Sequence, residues 1–293
     1  MIKRTITIKS PSRLSIKLSQ LKIENKDKGV VHTIPLEDMG YLFLEHQQIS
    51  LTLPLLQRCA EENIVVIICD ERHHPTAELT SLASHNLTGK RVRAQVDASK
   101  PTQKRIWQEL IKQKIMNQAH VAGEPFAKTL TTLAQEVKSG DSTNREGVAA
   151  KIYWQGIFGP DFIRDPNSDS PNDLLNYGYT ILRAATARAI ISSGLSPRFG
   201  VFHTNQYNPF PLADDIMEPY RPFVDQIVLE LINEMEDITL KEAKNRIKQV
   251  LVEDVLIDNL MRPLQLALSM TTASIAKIYD GSETKNISLP KFR

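Results

Sequence analysis

Asp215 and Glu218 lie three residues apart in Leu212-Ala213-Asp214-Asp215-Ile216-Met217-Glu218-Pro219-Tyr220-Arg221-Pro222 and would share one face of a helix. Two acids so placed repel each other unless a cation neutralises them. Pro219 and Pro222 lack the amides that would bond the carbonyls of Asp215 and Glu218, so the helix is predicted to kink or fray beside the acids. Free carbonyls and carboxylates together make an oxygen-rich corner. Oxygen ligands with one imidazole suit Mn²⁺ or Mg²⁺, whereas zinc more often recruits thiolates or several histidines. The nearest imidazole is His203, which follows the apolar pair Val201-Phe202 and opens a polar, proline-containing loop; taken alone, such a histidine is usually structural. Glu146, in Asn144-Arg145-Glu146-Gly147-Val148-Ala149-Ala150, is followed by small residues on a predicted helix. Its carboxylate faces either a packed cleft or, as is common for Glu, solvent.

Other motifs fail on spacing. Asp165, Asn167 and Asp169 begin like a calcium loop, but Ser170 stands where glycine is needed and Asn176 where a bidentate Glu is needed. Gly89-Lys90 is preceded by Ser84 at the first glycine position of a phosphate loop and followed by Arg91 instead of Ser or Thr. Cys59, Cys69, His73 and His74 fit no usual zinc interval. Serine-hydrolase elbows and zincin pairs are missing from the sequence, so any chemistry must come from dispersed residues.

The elements that would position those residues change character near residue 85. Before it, apolar residues alternate in short bursts: Ile6 and Ile8; Leu14, Ile16 and Leu18; Leu21 and Ile23. Further strands are predicted at 30–34, 41–44, 49–53 and 64–69, with a brief helix over 55–62. Beyond residue 100, spacings of three and four, as in Ile106, Leu110, Ile111 and Ile115, mark amphipathic helix. The clearest helix opens at Ser170-Pro171 with Ser170 as N-cap and Asp173 at its positive end, and stops at Gly194. Others are predicted over 143–158, 212–236, 240–250 and 261–279, with a loose tail over 282–293. The expected architecture is multidomain α+β: a small β-sandwich over 1–85 and a larger all-helical domain over 86–293.

With 293 residues, 36 Lys and Arg against 34 Asp and Glu, and 41% hydrophobic residues, the chain is composed like a globular protein. Disorder as a default state and a disulfide-stapled miniprotein are excluded. The longest aliphatic run, Ile64 to Cys69, is far below the roughly 20 residues that cross a bilayer, and Lys3 and Arg4 interrupt any leader, so a cytoplasmic protein is expected. Cys59 and Cys69 read as reduced core thiols. Charge is uneven: between Asn86 and Ile115, eight basic residues face two acids, a net +6 against −4 for the rest. Phosphate neutralisation along a nucleic acid asks for such a segment, and a solvated helix face explains it equally well.

Three stretches, Leu174 to Arg183, Gly200 to Asn208 and Leu212 to Pro222, together resemble the CRISPR-associated spacer-acquisition integrase/endonuclease family, most closely its form from type II systems. The likeness extends to Leu14-Ser15-Ile16-Lys17 and Ile34 to Met39, in the expected order. It implies that the β-domain dimerises and that the helical domain is catalytic, with Glu146, His203 and Glu218 holding Mn²⁺ or Mg²⁺. Asp215 occupies the place of a further acid found in many members, as an outer or alternative ligand, with Asp214 its neighbour and competitor. Also implied are a homodimer, a small second acquisition protein bridging two dimers, cooperation with the type II effector nuclease, and a reaction in which a 3′-hydroxyl attacks a repeat phosphodiester. Double-stranded and branched DNA would be gripped by Lys90, Arg91, Arg93, Lys104, Arg105, Arg183, Arg188 and Arg221. Two competing readings stand beside it: a non-enzymatic DNA-binding scaffold, and a metal-dependent phosphohydrolase acting on a small nucleotide.

Overall fold

The computed structural model describes residues 3–71, 75–79, 81, 85–165, 168–235, 238–281 and 286–293. His73, His74 and Asn167, named in the zinc and calcium readings, lie outside the described residues. The chain forms two compact units, Met1–Asn86 and Leu87–Arg293.

The first unit is β-rich. Its elements are β1 (Arg4–Ile8), β2 (Ser12–Lys17), β3 (Gln20–Asn25), β4 (Val31–Pro35), β5 (Met39–Leu44), β6 (Ser50–Leu51), helix α1 (Leu53–Glu61), β7 (Val65–Cys69) and β8 (Pro75–Leu79). One sheet has the order β1-β5-β7-β8, parallel except for antiparallel β8; the other has the order β4-β3-β2-β6. Every residue of β5 is buried, as a central parallel strand covered on both faces requires. Both sheets and α1 contribute to one core through Ile6, Ile8, Leu14, Leu21, Leu42, Leu55, Cys59 and Val66. The Cys59 thiol is pushed up to about 11 by burial, an inert core thiol. One expectation fails here: Leu18 does not continue the alternation of β2. Leu18 and Ser19 both take positive φ, 51° and 57°, and form the two-residue turn of the β2–β3 hairpin, which leaves Leu18 exposed.

The second unit is mostly helical: α2 (Thr88–Val96), α3 (Lys100–Ala122), α4 (Phe126–Glu136), α5 (Arg145–Phe158), α6 (Asn172–Ser192), α7 (Pro211–Ile216), α8 (Arg221–Glu234), α9 (Leu240–Lys248) and α10 (Leu264–Tyr279). A hairpin of β9 (Asp254–Ile257) and β10 (Leu260–Pro263) interrupts it, so the unit is not all-helical. Asp258 and Asn259, both at positive φ, turn this hairpin, and Met261 lies in β10 instead of opening the last helix. Helix α3 packs against α4, α5, α7 and α8 and carries a buried stripe of Trp107, Leu110, Ile111, Lys114 and Gln118.

Two further expectations need correction. Helix α6 begins at Asn172 with Pro171, not Ser170, at the N-cap; the Asn172 side chain instead ties down Arg164, Asp165 and Ile163. Its C-terminus closes as expected: Gly194 bonds Ile191 and Leu195 bonds Ile190, a Schellman motif. Residues 286–293, expected to be loose, are held: Lys291 pairs with Leu256 in an antiparallel bridge, and Phe292 stacks on Phe223 and His120.

Candidate active site

The helix expected over 212–236 is interrupted beside its acids. Helix α7 ends at Ile216, a 3₁₀ turn spans Glu218–Tyr220, and α8 begins at Arg221. The break turns Asp215 and Glu218 toward different partners. Asn117 on α3 donates to the carbonyl of Pro219 at 2.7 Å and to that of Pro290 at 3.0 Å, so one amide holds both the turn and the C-terminal tail.

Asp215, fully buried, accepts the amides of Val201 (2.5 Å), Phe202 (3.0 Å) and His203 (3.2 Å), and its Oδ1 lies 2.6 Å from His203 Nδ1. Gly200 permits this wrap: a Cβ there would lie 2.3 Å from the His203 carbonyl oxygen and 3.0 Å from Asp215 Oδ2. Phe202 stacks on Trp107 at 4.2 Å, and Trp107 meets His203 edge-on. With Nδ1 engaged by Asp215, Nε2 is the ring nitrogen left to ligate. The Asp215 bond raises the His203 pKa above the usual histidine value against the opposing effect of burial, and the charges of Asp215, Glu218 and Asp214 add to the rise. Asp214 is committed elsewhere, forming a two-point pair with Arg183 (2.7 and 2.9 Å) and accepting from Asn208 at 2.7 Å.

Glu146 sits in the first turn of α5, where Asn144 caps Gly147 and Asp141 accepts the amides of Arg145 and Glu146 at 2.8 and 3.0 Å. Its Oε1 is 2.6 Å from Lys114 Nζ, and the same nitrogen is 2.6 Å from Glu218 Oε2. Arg221 Nε reaches Glu218 Oε1 at 3.0 Å. Burial works to raise the Glu218 pKa, but Arg221 and then Lys114 outweigh it and hold the carboxyl down at about 2. Burial likewise opposes the charge of Lys114, yet Glu218 and then Glu146 keep it above the ordinary lysine value. A little farther along α8, buried Asp225 accepts from Tyr153 at 2.9 Å and Tyr179 at 2.5 Å, and Arg221 stacks over the Tyr179 ring at 4.6 Å.

The structure therefore joins Glu146 to Glu218 through Lys114, and His203 to Asp215. Among the described residues no three His, Cys, Asp or Glu side chains stand close enough to hold an ion as they are. The donor set nevertheless fits a hard divalent cation. Glu218 Oε2 is buried and receives no well-directed hydrogen bond, Glu146 faces it, and His203 presents Nε2 with its other nitrogen anchored.

Of the expected DNA contacts, Lys90, Arg93 and Lys104 are exposed, while Arg105 and Arg188 are half-buried. Arg91 bonds Asp280 and the Ser193 carbonyl, Arg183 bonds Asp214, and Arg221 bonds Glu218. Lys114, Asn117, Asp141, Tyr153, Tyr179 and Asp225 were not singled out from the sequence as site residues. In the sequence Lys114 registers only as one of the basic residues, although it falls one heptad after Trp107 on the apolar stripe of α3, a position where a lysine needs a partner. A cleft of about 570 Å³ opens beside His203, lined by Gln95, Gln103, Arg198, Phe199 and Tyr207 among others.

The family of CRISPR associated protein Cas1 matches this chain over residues 6–264, spanning both units and the whole polar cluster. The chain belongs to the Cas1 family. A CRISPR-associated endonuclease Cas1 from Neisseria meningitidis serogroup C (strain 8013) is 41% identical over 232 residues, which cover 78% of this chain and 75% of that protein. Among solved structures, a casposase bound to an integration product has a TM-score of 0.79 at 20% identity, covering 98% of this chain and 92% of its own. A Cas1 protein from Thermotoga maritima has a TM-score of 0.76 at 18% identity, covering 96% and 98%. At these identities the structural matches speak for the fold: an N-terminal β-rich unit followed by a mostly helical one. Among the described residues no helix of this family member is long and apolar enough to cross a membrane.

Proposed function

We propose that this Cas1-family chain is a metal-dependent DNA endonuclease and integrase that inserts short foreign DNA fragments into a CRISPR array in the cytoplasm. The observation that carries the reading is the pairing of Glu146 and Glu218, from separate elements, beside a histidine anchored by a buried aspartate. Glu146, Glu218 and His203 Nε2 would hold Mn²⁺ or Mg²⁺. The chemistry such an ion supplies is stabilisation of charge on the reacting phosphate and activation of the attacking 3′-hydroxyl. Asp215 fixes the ring orientation and tautomer of His203. Arg221 keeps Glu218 ionised, and Asp141 fixes the turn that carries Glu146.

Exposed Lys90, Arg93 and Lys104 would neutralise DNA phosphates, giving steep salt dependence and weak sequence preference for the chain alone. The fold shared with a casposase bound to an integration product and with a TtCas1–DNA complex (TM-score 0.63) supports a DNA substrate. The fold shared with the Cas6-RT-Cas1–Cas2 complex (TM-score 0.75) supports a Cas2 partner; in the proposed assembly that small second acquisition protein would bridge two homodimers of this chain. In a type II system the effector nuclease would join them.

A scaffold reading has one observation in its favour: Lys114 and Arg221 already neutralise Glu146 and Glu218, as in a purely structural ion cluster. A single assay separates the two. A labelled short duplex is incubated with supercoiled repeat-bearing DNA in Mn²⁺, Mg²⁺ or chelator, with wild type and Glu146→Ala. Joining that needs the ion and vanishes in the variant supports the integrase; DNA binding with no ion-dependent nicking or joining supports the scaffold.

A further inference from the structure

Lys114 is out of character for its position. It lies on the apolar stripe of α3, nearly inaccessible, and its ammonium is equidistant at 2.6 Å from carboxylates on α5 and on the 3₁₀ turn before α8. Helix α3 packs against both α5 and the 3₁₀ turn, and at the carboxylates themselves the Lys114 ammonium is the group that bridges Glu146 and Glu218. A divalent ion bound by the same two oxygens would lie roughly 2.0–2.3 Å from each, which is the space the ammonium fills. Two cations at that separation, with few waters between them, repel strongly. Arg221 is not a substitute, because its bond is to the other oxygen, Glu218 Oε1.

We propose that Lys114 is a displaceable internal cation. It holds Glu146 and Glu218 in register for the divalent ion and is expelled from between them when the ion binds. A lysine suits this task better than an arginine, because a compact charge on a flexible four-carbon stem can withdraw without breaking a planar two-point fork. The inference rests on the metal-site reading above and adds a competitor for the site.

The test uses the full chain and Mn²⁺ as probe, titrated by the electron paramagnetic resonance signal of the free ion, for wild type, Lys114→Met and Glu146→Ala. Removal of the competing charge is expected to tighten Mn²⁺ binding in Lys114→Met by about tenfold or more, equivalent to one power of ten in Kd. The same variant should be less stable than wild type in chelator and gain more thermal stability than wild type on adding Mn²⁺. A second readout needs no variant: labelling of Lys114 by an amine-reactive reagent, followed by peptide mass spectrometry, should be slow in chelator and several-fold faster with Mn²⁺. If Mn²⁺ binds wild type and is lost in Glu146→Ala, yet Lys114→Met binds no tighter and labelling does not respond, the displacement idea fails and the metal site stands. If Mn²⁺ binds neither wild type nor Lys114→Met, both fall together.

Discussion

Glu218 and Asp225 are buried carboxylates seven residues apart on one stretch of chain, and they have opposite fates. Glu218, 4% exposed, faces two cations, Lys114 and Arg221, and is held at about 2. Asp225, 1% exposed, faces two neutral hydroxyls, Tyr153 and Tyr179. Burial pushes Asp225 up to about 6, although those hydroxyls and then Arg221 pull the other way. Burial raises the pKa of both, and the charge of the partners decides whether it is outweighed, as at Glu218, or prevails, as at Asp225. An ionised, cation-lined carboxylate is a metal ligand in waiting. A carboxyl clasped by tyrosines from α5 and α6 is a strut that fixes α8.

The largest effect should separate these roles by activity. Glu218→Gln is expected to lower strand transfer by about a thousandfold or more, the several kcal/mol of transition-state charge stabilisation that an ion supplies. Asp225→Asn should stay within about tenfold of wild type in the same gel assay. Equal losses would erase the distinction.

Next in size is the pH dependence of stability. Asp225 has a folded value of about 6 against an unfolded value near 3.8, so the folded state keeps its proton longer. Its contribution is therefore fully present below about pH 4 and is lost as pH rises through about 6, by up to about 3 kcal/mol for a shift of this size. Urea unfolding of wild type between pH 4 and 7 should show this decline, and Asp225→Asn should flatten it. An unchanged slope in the variant would place the titration elsewhere.

Asp215→Asn probes a third carboxylate, one that acts on a metal ligand without being one. It should lower Mn²⁺ affinity by about 10- to 100-fold, as loss of such an outer partner does, measured by the same spin-signal titration; an unaltered affinity would make Asp215 purely structural. The smallest effect is Tyr153→Phe, which removes one of the two hydroxyls on Asp225. It should cost about 1.5 kcal/mol in urea unfolding and leave strand transfer within a few-fold of wild type.

How much of this was legible depended on how local the cause was. Alternation at Leu14 and Ile16 reads directly as strand, and it misleads only at Leu18, where an alternating leucine was placed in a turn that needs positive φ. The Asp258-Asn259 turn carried a readable hairpin signal, but the helical spacing that follows Met261 masked it. The proline break between α7 and α8 followed from missing amides alone. The tail over 286–293 is short and looks loose until Asn117, more than 170 residues earlier, binds the Pro290 carbonyl. Lys114 was hidden for the same reason. Its partners lie 32 and 104 residues downstream, so composition could count its charge but not see where it was spent. Arg183 and Arg221, read as DNA contacts, are bound to Asp214 and Glu218 by equally distant or helix-local geometry.

Whether Glu146, His203 and Glu218 form one divalent-ion site is read most directly by anomalous diffraction at the manganese edge from crystals grown with Mn²⁺. A single strong peak is expected within ligand distance, about 2.0–2.3 Å, of Glu146, His203 Nε2 and Glu218, with the Lys114 ammonium moved out from between the carboxylates. No peak there, with Lys114 still bridging Glu146 and Glu218, would contradict it.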